Sequence, residues 1–461
     1  MLKLPQDFID KYQNLLGDEA EAFFDSLNDD VQKGFRLNPL KNDYQNVDVS
    51  LDNPIPFIKD GYFGQISGKS LDHQAGYVYS QDISAMYVGQ IVAATPGDYV
   101  LDLCAAPGGK STHIAQQLQN QGLLVSNEIN RKRAEILVEN LERFGALNTI
   151  ILNETPQKIA EYLPATFDKV VVDAPCSGEG MFRKDHDAIK YWNKNYPAEC
   201  AERQKKILQS AIRTVKPGGQ LIYSTCTFSP EEDEQVVQWV LDNYPEFKLV
   251  EIPRFEGMDA GRPDFANQNS ELKKCVRLMP HHFQGEGQFI AKFVNCNESL
   301  VKRKPLKKKK KQKNQSNQRI DNEQFKMWQA FIKPFSTVLC SKNKKDFKVL
   351  NQHLYYIPKE SPDISQLKFM RPGLYLGEFK KNRFEPSYSL ALALNPAEAT
   401  KTILFTKEQW EQYLTGQTVK LDADLSNGWY LLVCDHKAFS FGKYVNHEVK
   451  NFIPKKIRFK S

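Results

Sequence analysis

One stretch decides the fold: residues 99–112, which read YVLDLCAAPGGKST. The apolar residues 99–103 predict a strand, and the segment from Ser111 to Leu118 predicts the helix that follows it. Backbone N–H groups are free at the start of a helix, and small residues between strand and helix let a ligand approach them closely. We therefore expect a ligand-binding loop between the first strand and the first helix of an α/β domain.

Strands continue to alternate with helices up to about residue 293. The predicted strands are 99–103, 123–126, 149–152, 169–172, 220–224, 247–250 and 288–293, and the predicted helices are 111–118, 131–144, 198–215 and 231–242. The turn Pro217-Gly218-Gly219 is expected to close the third helix. This alternation predicts a mostly parallel sheet that is covered by helices on both faces.

The loop itself lacks the motifs that bind phosphates. A P-loop needs a glycine five residues before Gly109, and the dinucleotide pattern G-x-G-x-x-G is absent. An adjacent glycine pair after Asp-x-Cys-Ala-Ala-Pro instead fits an adenosine that carries methionine. Glu128 lies 20 residues beyond Gly108, at the end of the second strand, where an acid binds a ribose diol. Without the loop, a helix cap would be the better interpretation of Glu128.

Two cysteines follow the ends of other strands. The fourth strand leads into Asp173-Ala174-Pro175-Cys176, and the fifth leads into Ser224-Thr225-Cys226. In a doubly wound sheet, ligands bind outside the carboxyl ends of the strands near the switch point, so both cysteines and Asp173 should converge beside the loop. A buried cysteine is usually only a small apolar side chain. That interpretation suits Cys104, but not Cys176 and Cys226, which lie next to turn residues.

Three motifs, in this order, resemble one family: 102–110 (DLCAAPGGK), 173–178 (DAPCSG) and 224–227 (STCT). They are similar to the motifs of the NOL1/NOP2/Sun family of RNA cytosine-C5 methyltransferases, and segments 36–41 and 81–82 extend the resemblance over about residues 1–297. It implies an α/β fold with a class I, Rossmann-like, seven-stranded methyltransferase sheet. It also implies S-adenosyl-L-methionine as cofactor, held by Cys104, Ala105, Ala106, Pro107, Gly108, Gly109, Lys110, Glu128 and Asp173. Arg133 is expected to support this region, and Asn153 stands where the family usually has an aspartate that faces the adenine.

The resemblance also assigns roles to the cysteines. C5 of cytosine is a poor nucleophile, and a thiolate that adds to C6 activates it. In the family the Thr-Cys cysteine attacks, whereas in DNA cytosine methyltransferases the Pro-Cys cysteine does so. The resemblance therefore implies that Cys226 is the nucleophile, that Cys176 helps to release the product, and that Asp173 faces the base ring and the cofactor. Lys110 is a candidate for the positive neighbour that a thiolate needs.

The charge is distributed unevenly along the chain. The net charge is +6, but residues 1–301 carry −12, residues 302–313 contain nine Lys or Arg without an acid, and residues 326–461 carry +10. A basic C-terminal part suits a polyanion such as RNA, although a lysine run such as 307–311 is often only a solvated tail.

Stretches 370–395 and 425–460 resemble an RNA-binding module of the pseudouridine-synthase-and-archaeosine-transglycosylase (PUA) type. The aromatic residues Tyr375, Phe384 and Tyr388 are expected in its core more than on RNA.

These features predict four regions. They are an N-terminal helical and irregular segment that contacts RNA (1–80), the methyltransferase domain (81–297), a basic flexible linker (298–325) and an α+β PUA-like domain (326–461). No apolar run approaches the roughly 20 residues of a membrane span, and the first residues contain no signal sequence. We expect a cytoplasmic monomer.

The chain contains eight cysteines but no C-x-x-C pair. This argues against a disulfide framework and against a metal site, including one built from Cys275, His281 and His282.

Three functions are therefore compared. The first is methylation of cytosine C5 in ribosomal RNA, with small-subunit RNA favoured and with either naked RNA or an assembled subunit as the substrate. The second retains this chemistry but acts on tRNA. The third is a ribosome-assembly or RNA-binding factor whose α/β domain is only a scaffold. Intact Asp173, Cys176 and Cys226 disfavour the third, and the missing glycine fingerprint excludes a nucleotide-dependent dehydrogenase.

Overall fold

The computed structural model describes residues 2–297, 319–358 and 361–459. The N-terminal segment begins with helices α1 (Gln6–Leu16) and α2 (Ala20–Ser26). A three-stranded antiparallel sheet follows, in the order β2 (Gly61–Phe63), β1 (Gly34–Leu37), β3 (Val78–Gln81), with the short helix α3 (Leu71–Gln74) before β3. The sequence predicted helix throughout residues 1–50. This is wrong for β1, because residues 34–37 pair with both neighbouring strands and are buried.

The central part of the chain forms a large mixed sheet with helices on both faces. Its strands are β4 (Tyr99–Asp102), β5 (Leu123–Asn127), β6 (Thr149–Leu152), β7 (Phe167–Asp173), β8 (Val215–Thr225), β9 (Phe247–Leu249), β10 (Asp259–Ala260), β11 (Val276–Leu278) and β12 (Gln288–Asn295). Its helices are α4 (Ile83–Val92), α5 (Gly109–Leu118), α6 (Arg131–Phe144), α7 (Pro156–Tyr162), α8 (His186–Tyr191), α9 (Tyr196–Ile212) and α10 (Glu234–Asn243). Two buried clusters fill the space between the sheet and the helices on its two faces.

The predicted seven-strand core is present and is extended. Strands β6, β5, β4, β7 and β8 are parallel neighbours in that order, and β12 joins β8 in the antiparallel direction and also pairs with β9. Strands β10 and β11 widen the sheet on the β12 side. The carboxyl ends of β4, β7 and β8 are therefore adjacent, as expected, and Asp173 at the end of β7 pairs with Ser224 of β8.

The turn predicted at Pro217-Gly218-Gly219 does not separate α9 from the next strand. Helix α9 ends at Ile212, and β8 already begins at Val215. Val215 pairs with Phe167 and Gln220 pairs with Lys169, so the four residues 216–219 bulge out opposite one residue of β7. Gly218 has φ +74°, which only glycine adopts readily, and this lets the chain return into register.

The C-terminal part contains two further sheets, which share one buried cluster. Strands β13 (Phe347–Leu350), β14 (His353–Tyr356), β16 (Leu374–Lys380) and β17 (Arg383–Pro386) form the first, together with helices α11 (Asn322–Ile332), α12 (Thr337–Cys340) and α13 (Tyr388–Ala393). Strands β18 (Thr402–Phe405), β20 (Gly428–Cys434), β21 (Lys437–Val445), β22 (Glu448–Asn451) and β19 (Val419–Lys420) form the second, with helix α14 (Lys407–Leu414). Between β14 and β16, strand β15 (Phe369–Arg371) pairs with β6 and extends the large sheet.

Most of the predicted linker, residues 298–318, lies outside the described residues, as does the lysine run 307–311. The described end of that segment already contains the start of α11 at Asn322, three residues before the predicted end of the linker. The Asp321 side chain accepts a hydrogen bond from Gln324 N, while the Gln324 side chain accepts one from Asp321 N, and this capping box begins the helix early.

Polar contacts join the C-terminal part to the rest of the chain. Arg371 donates to Glu142 of α6 over 2.7 Å, and Lys437, which is fully buried, lies 3.3 Å from Asp72 of α3. Basic C-terminal residues thus pair with acids of the N-terminal two thirds, a use of the uneven charge that the sequence did not predict. Phe384 is in the core, as predicted. Within the described ranges, no helix combines the length and the apolar character that crossing a bilayer requires.

Candidate active site

The loop between β4 and α5 is built from residues that permit close packing. Gly108 precedes α5 with φ +119°, a conformation that other residues rarely adopt. A Cβ atom at Gly109 would lie 3.0 Å from Gln81 Nε2, so a larger residue here would have to displace that side chain. The glycine pair therefore lets the chain fold tightly onto itself and leaves the loop surface, rather than side chains, to meet a ligand.

Beneath the loop, Asp102 is fully buried at the end of β4. Its Oδ2 accepts a 2.6 Å hydrogen bond from Ser111 Oγ, while its Oδ1 has no partner among the described residues. Burial raises the pKa of Asp102 to about 7. Burial, followed by the Asp102 and Asp173 carboxylates, also raises the pKa of the Cys104 thiol well above its ordinary value. Cys104 thus remains a neutral thiol, in keeping with its prediction as a small apolar residue.

Glu128, Arg133 and Asn153 meet at the other side of the loop. Arg133 Nη2 donates to Ala106 O over 2.8 Å, and its Nη1 lies 3.4 Å from Glu128 Oε2. Glu128 Oε1 accepts from Asn130 N over 2.8 Å. Asn153 Nδ2 donates to Glu128 O and Ile129 O at 2.7 and 2.9 Å. The predicted cofactor residues are therefore linked to one another, and Asn153 supports the Glu128 backbone.

Lys110 and Asp173 connect the loop to the end of β7. Lys110 Nζ donates to Asp173 Oδ2 over 2.6 Å, and Ser224 Oγ donates to Asp173 Oδ1 over 2.8 Å. Burial acts to lower the pKa of Lys110, but Asp173 and then Cys226 outweigh it, and the pKa is raised. The ammonium group therefore remains charged beside the cysteine that was expected to need a positive neighbour.

The two cysteines that follow β7 and β8 lie next to each other. The Sγ atoms of Cys176 and Cys226 are 3.2 Å apart, and both side chains are partly accessible. The hydrogen bond to Cys226, followed by burial, raises the pKa of Cys176 well above its ordinary value. Cys176 therefore holds its proton and can donate it to the Cys226 sulfur. We name the group Lys110, Asp173, Cys176 and Cys226 the thiol edge.

A set of buried acids, which the sequence did not predict, lies beneath the thiol edge. Glu179 accepts hydrogen bonds from Trp192, Thr227, Ser229 and the Phe228 backbone at 2.8–3.3 Å, and also from the Tyr12 hydroxyl. Glu232 accepts from Ser177 N at 2.9 Å and from Gln204 Nε2 at 2.7 Å. The run of four acids at 231–234, directly after the Cys226 strand, was the available signal in the sequence.

Arg36, part of the upstream segment in the resemblance, proves to be an anchor for the loop. It is fully buried, and its guanidinium donates to Gln81, Gln116, Thr112 and Gly109 O at distances of 2.8–3.0 Å. These acceptors lie on α5 or beside it, so Arg36 fixes the N-terminal segment against the start of that helix. Its role is therefore to hold the loop in place.

The fold and this loop define a Rossmann-like methyltransferase. Two models of known sequence families match the N-terminal two thirds of the chain. The family described as "16S rRNA methyltransferase RsmB/F" matches residues 89–294, and the family described as "N-terminal domain of 16S rRNA methyltransferase RsmF" matches residues 4–83. Two more match the C-terminal part: "RsmF rRNA methyltransferase first C-terminal domain" at 330–394 and "Methyltransferase RsmF PUA domain" at 400–459. The PUA match thus covers only the second C-terminal sheet, whereas the sequence predicts one PUA-like domain over all of residues 326–461.

Relatives match over the whole chain. The ribosomal RNA small subunit methyltransferase F of Shewanella sp. (strain MR-7) is 30% identical and covers 99% of this chain and 97% of its own length. The protein of the same name from Vibrio campbellii is 28% identical over 98% of this chain and 97% of its own. The chain belongs to the 16S rRNA methyltransferase RsmB/F family, and it is an S-adenosyl-L-methionine-dependent ribosomal RNA methyltransferase.

Solved structures agree with the fold. A methyltransferase homologue from Pyrococcus horikoshii is 31% identical, with a TM-score of 0.56, over 64% of this chain and 96% of its own. The structure of NSun6 from the same organism with SFG has a TM-score of 0.54 at 21% identity, over 64% of this chain and 99% of its own. At that identity, the second comparison supports the fold alone.

Proposed function

We propose that the protein transfers the methyl group to C5 of a cytosine in small-subunit ribosomal RNA through a covalent bond between Cys226 and C6. One observation carries this proposal. Two thiols lie 3.2 Å apart at the carboxyl ends of adjacent strands, beside the Lys110–Asp173 ion pair. Cytosine C5 methylation needs a thiolate and a nearby group that exchanges protons, and the thiol edge contains both.

The difference between the two thiols supports the assignment of the nucleophile. Either sulfur can donate in the Cys176–Cys226 hydrogen bond, and the raised pKa of Cys176 favours this thiol as the donor. A thiol that accepts this hydrogen bond, beside the charged Lys110, is the one favoured as a thiolate. We therefore assign the attack to Cys226 and the release of product to Cys176.

The residues of the loop fit an adenosine-bearing cofactor. Asp102 offers a buried oxygen without a partner in the described part of the chain, and Glu128 offers a carboxylate at the position that binds a ribose diol. We propose that loop 104–110, Glu128 and Asp173 hold S-adenosyl-L-methionine, with Arg133 and Asn153 as supports. When bound, this cofactor supplies an electrophilic methyl group.

The protein groups then act on the base in sequence. Cys226 Sγ forms a bond to C6, which makes C5 nucleophilic, while Asp173 contacts the polar edge of the ring. After C5 has gained its methyl group, it loses its proton to a base, the electron pair of the C5–H bond restores the C5–C6 double bond, and the Cys226–C6 bond breaks. Cys176, which donates a hydrogen bond to Cys226 Sγ, stabilises the departing thiolate.

The substrate proposal rests on the relatives and on the C-terminal part. Relatives over nearly the full length are named small-subunit methyltransferases, and the match to a PUA domain at 400–459 suits RNA binding. The target cytosine must leave its stack to reach Cys226, and binding elsewhere on the RNA offsets that cost. We propose that segment 1–80, domain 81–297 and domain 326–461 act together around linker 298–325, in a cytoplasmic monomer.

A labelling experiment tests this function. The protein is incubated with S-adenosyl-L-methionine carrying a labelled methyl group and with total RNA from a strain that lacks the enzyme, and the RNA is separated by size. We expect label in small-subunit RNA, and bisulfite sequencing should locate it on cytosine. Label confined to tRNA would support the alternative substrate, and the absence of label from naked RNA and from assembled subunits would overturn the proposal.

A further inference from the structure

A cluster of three potential metal ligands lies outside the thiol edge. Glu19 ends a short 3-10 helix, Gly17–Glu19, between α1 and α2, while His281 and His282 follow β11. One ligand atom from each of the three side chains lies within 4.8 Å of the others. The cluster therefore bridges the N-terminal segment and the edge of the large sheet, and the mechanism proposed above does not use it.

His281 is the least satisfied member of the cluster. Its side chain is only 3% exposed, and neither of its ring nitrogens has a hydrogen-bond partner among the described residues. A buried imidazole normally has such a partner. The closest carboxylate, Glu19, has its Oε2 3.6 Å from Nε2, which is too far for a hydrogen bond.

His282 is already oriented as metal-bound histidines are. Its Nδ1 lies 2.9 Å from Asp259 Oδ2, which leaves Nε2 for another partner. Metal-bound histidines commonly donate their second ring N–H to a carboxylate, which fixes the orientation of the ring and strengthens the ligand. Asp259 lies on β10, so this contact joins the segment after β11 to a second element of the sheet edge.

We propose that Glu19, His281 and His282 bind one Zn²⁺ ion, with Asp259 holding the His282 ring. Two imidazoles and one carboxylate suit zinc and not magnesium or calcium, which prefer oxygen ligands. Zinc takes such ligands at about 2.0–2.2 Å. The cluster is wider than a bound site, but the side chains of Glu19 and His282 are 56% and 37% exposed and can rotate inward.

The ion would crosslink the N-terminal segment to the edge of the large sheet. Glu19, Asp259 and His282 line a cavity of about 280 Å³ together with Tyr12 and Phe228. Phe228 lies two residues after Cys226, and the Tyr12 hydroxyl donates to Glu179 beneath the thiol edge. Zinc at this place would fix the start of α2 against the sheet, and it would do so at a distance from the reacting thiols.

This site differs from the set that the sequence suggested and rejected. Cys275 was considered there with the two histidines, but its side chain is fully buried in the core beneath the sheet. Glu19, which is more than 250 residues away in the chain, stands in its place. The prediction of no metal site rested on short spacings, which cannot reveal a ligand contributed by a distant helix.

Direct measurement of zinc binding tests the proposal. Tag-free, full-length protein is loaded with ZnCl₂, dialysed against metal-free buffer and analysed for metal content, and affinity is measured by competition with a chromophoric chelator. We expect one zinc ion per chain. Glu19→Gln and His282→Ala should weaken binding tenfold or more, and Asp259→Asn about tenfold, as for groups that orient a ligand. Glu21→Gln is the matched control, because Glu21 is exposed on the same segment outside the cluster.

Cobalt provides a second readout that is independent of stability. Co²⁺ in the site should give the visible absorption bands of a tetrahedral complex, and His282→Ala should abolish them while circular dichroism shows an unchanged fold. If the wild type and His282→Ala retain equal amounts of zinc, or if Glu21→Gln lowers affinity as much as Glu19→Gln does, binding is nonspecific and the proposal is wrong. Neither outcome bears on the methylation assay described above.

Discussion

The thiol edge and the acids beneath it differ in how completely their polar groups are paired. Cys176 and Cys226 are partly accessible and contact each other at 3.2 Å. Glu179, by contrast, is fully buried and accepts five hydrogen bonds from α1, from the segment around Trp192 and from residues 227–229. The two thiols thus retain free hydrogen-bonding capacity, whereas Glu179 uses its capacity to hold the surrounding loops in position.

The two buried glutamates also differ from each other. Glu232 accepts two hydrogen bonds with Oε2, and its Oε1 has no partner within the described residues. Burial, followed by Glu179, raises the pKa of Glu232 to about 8. A buried carboxyl group with few donors is favoured as the neutral acid. Substitutions at these positions should therefore change different properties.

The largest expected effect is that of Cys226→Ala on methylation. Without its nucleophile the enzyme should lose on the order of 10⁴-fold or more in rate, because C5 is no longer activated. The thermal unfolding midpoint should hardly move, since the side chain is partly accessible. Methyl transfer to small-subunit RNA measures the first quantity and calorimetry the second. Cys296→Ala, at an exposed cysteine, is the control, and a Cys226→Ala enzyme with near-normal activity would refute the assignment.

Cys176→Ala should block a later step. The enzyme should still attack C6 and methylate, but without the thiol at 3.2 Å it should release the product poorly. A covalent protein–RNA adduct should therefore accumulate and survive a denaturing gel, with turnover limited to about one event per enzyme. The double variant with Cys226→Ala should form no adduct. An adduct that needs Cys176 and not Cys226 would reverse the two roles.

Much of the thiol edge could be predicted from sequence because short motifs follow the strands directly. Parallel strands end at the same edge of a sheet, so Asp102, Asp173 and Thr225 had to lie close together once the strand order was known. For these positions local sequence and the general rules of α/β folds are sufficient. The Lys110–Asp173 pair is different, because the sequence predicts Lys110 only as a positive neighbour of a thiolate and does not place its amine.

The layer beneath the thiol edge could not be predicted in this way. Tyr12 and Glu179 are separated by 167 residues, and their contact depends on how α1 packs on the finished domain. The pairing of β15 with β6 has the same origin, because it joins residues 369–371 to residues 151–152. Such contacts leave no repeating pattern in the amino-acid sequence, because they are determined only by the packing of distant segments in the folded protein.

Glu179→Gln should destabilise the protein while leaving the cysteines in place. An amide nitrogen in place of one carboxylate oxygen would face donors such as Ser229 Oγ or Thr227 Oγ1, and at least two buried donors would lose their acceptor. The expected loss is about 3–5 kcal/mol in the free energy of unfolding. Urea denaturation measures it. Glu231→Gln, at a partly exposed pair with Lys11, should lose about 1 kcal/mol or less, and equal losses would contradict the special role of Glu179.

Of the effects predicted here, that of Glu232→Gln at pH 6 should be the smallest. In contrast to Glu179→Gln, this substitution should raise the free energy of unfolding. Because the pKa of Glu232 is about 8 in the folded protein and about 4.3 in an unfolded chain, its contribution to stability is complete below pH 4 and is lost as the pH rises towards 8. Glutamine cannot ionise, and it can still accept from Ser177 N and Gln204 Nε2. The variant should therefore equal the wild type at pH 4 and exceed it increasingly at higher pH, by at most about 1.4 kcal/mol per pH unit, until the difference levels off above pH 8. Urea denaturation of both proteins between pH 4 and 9 measures this difference, and a constant difference across that range would show that Glu232 is ionised in the folded protein.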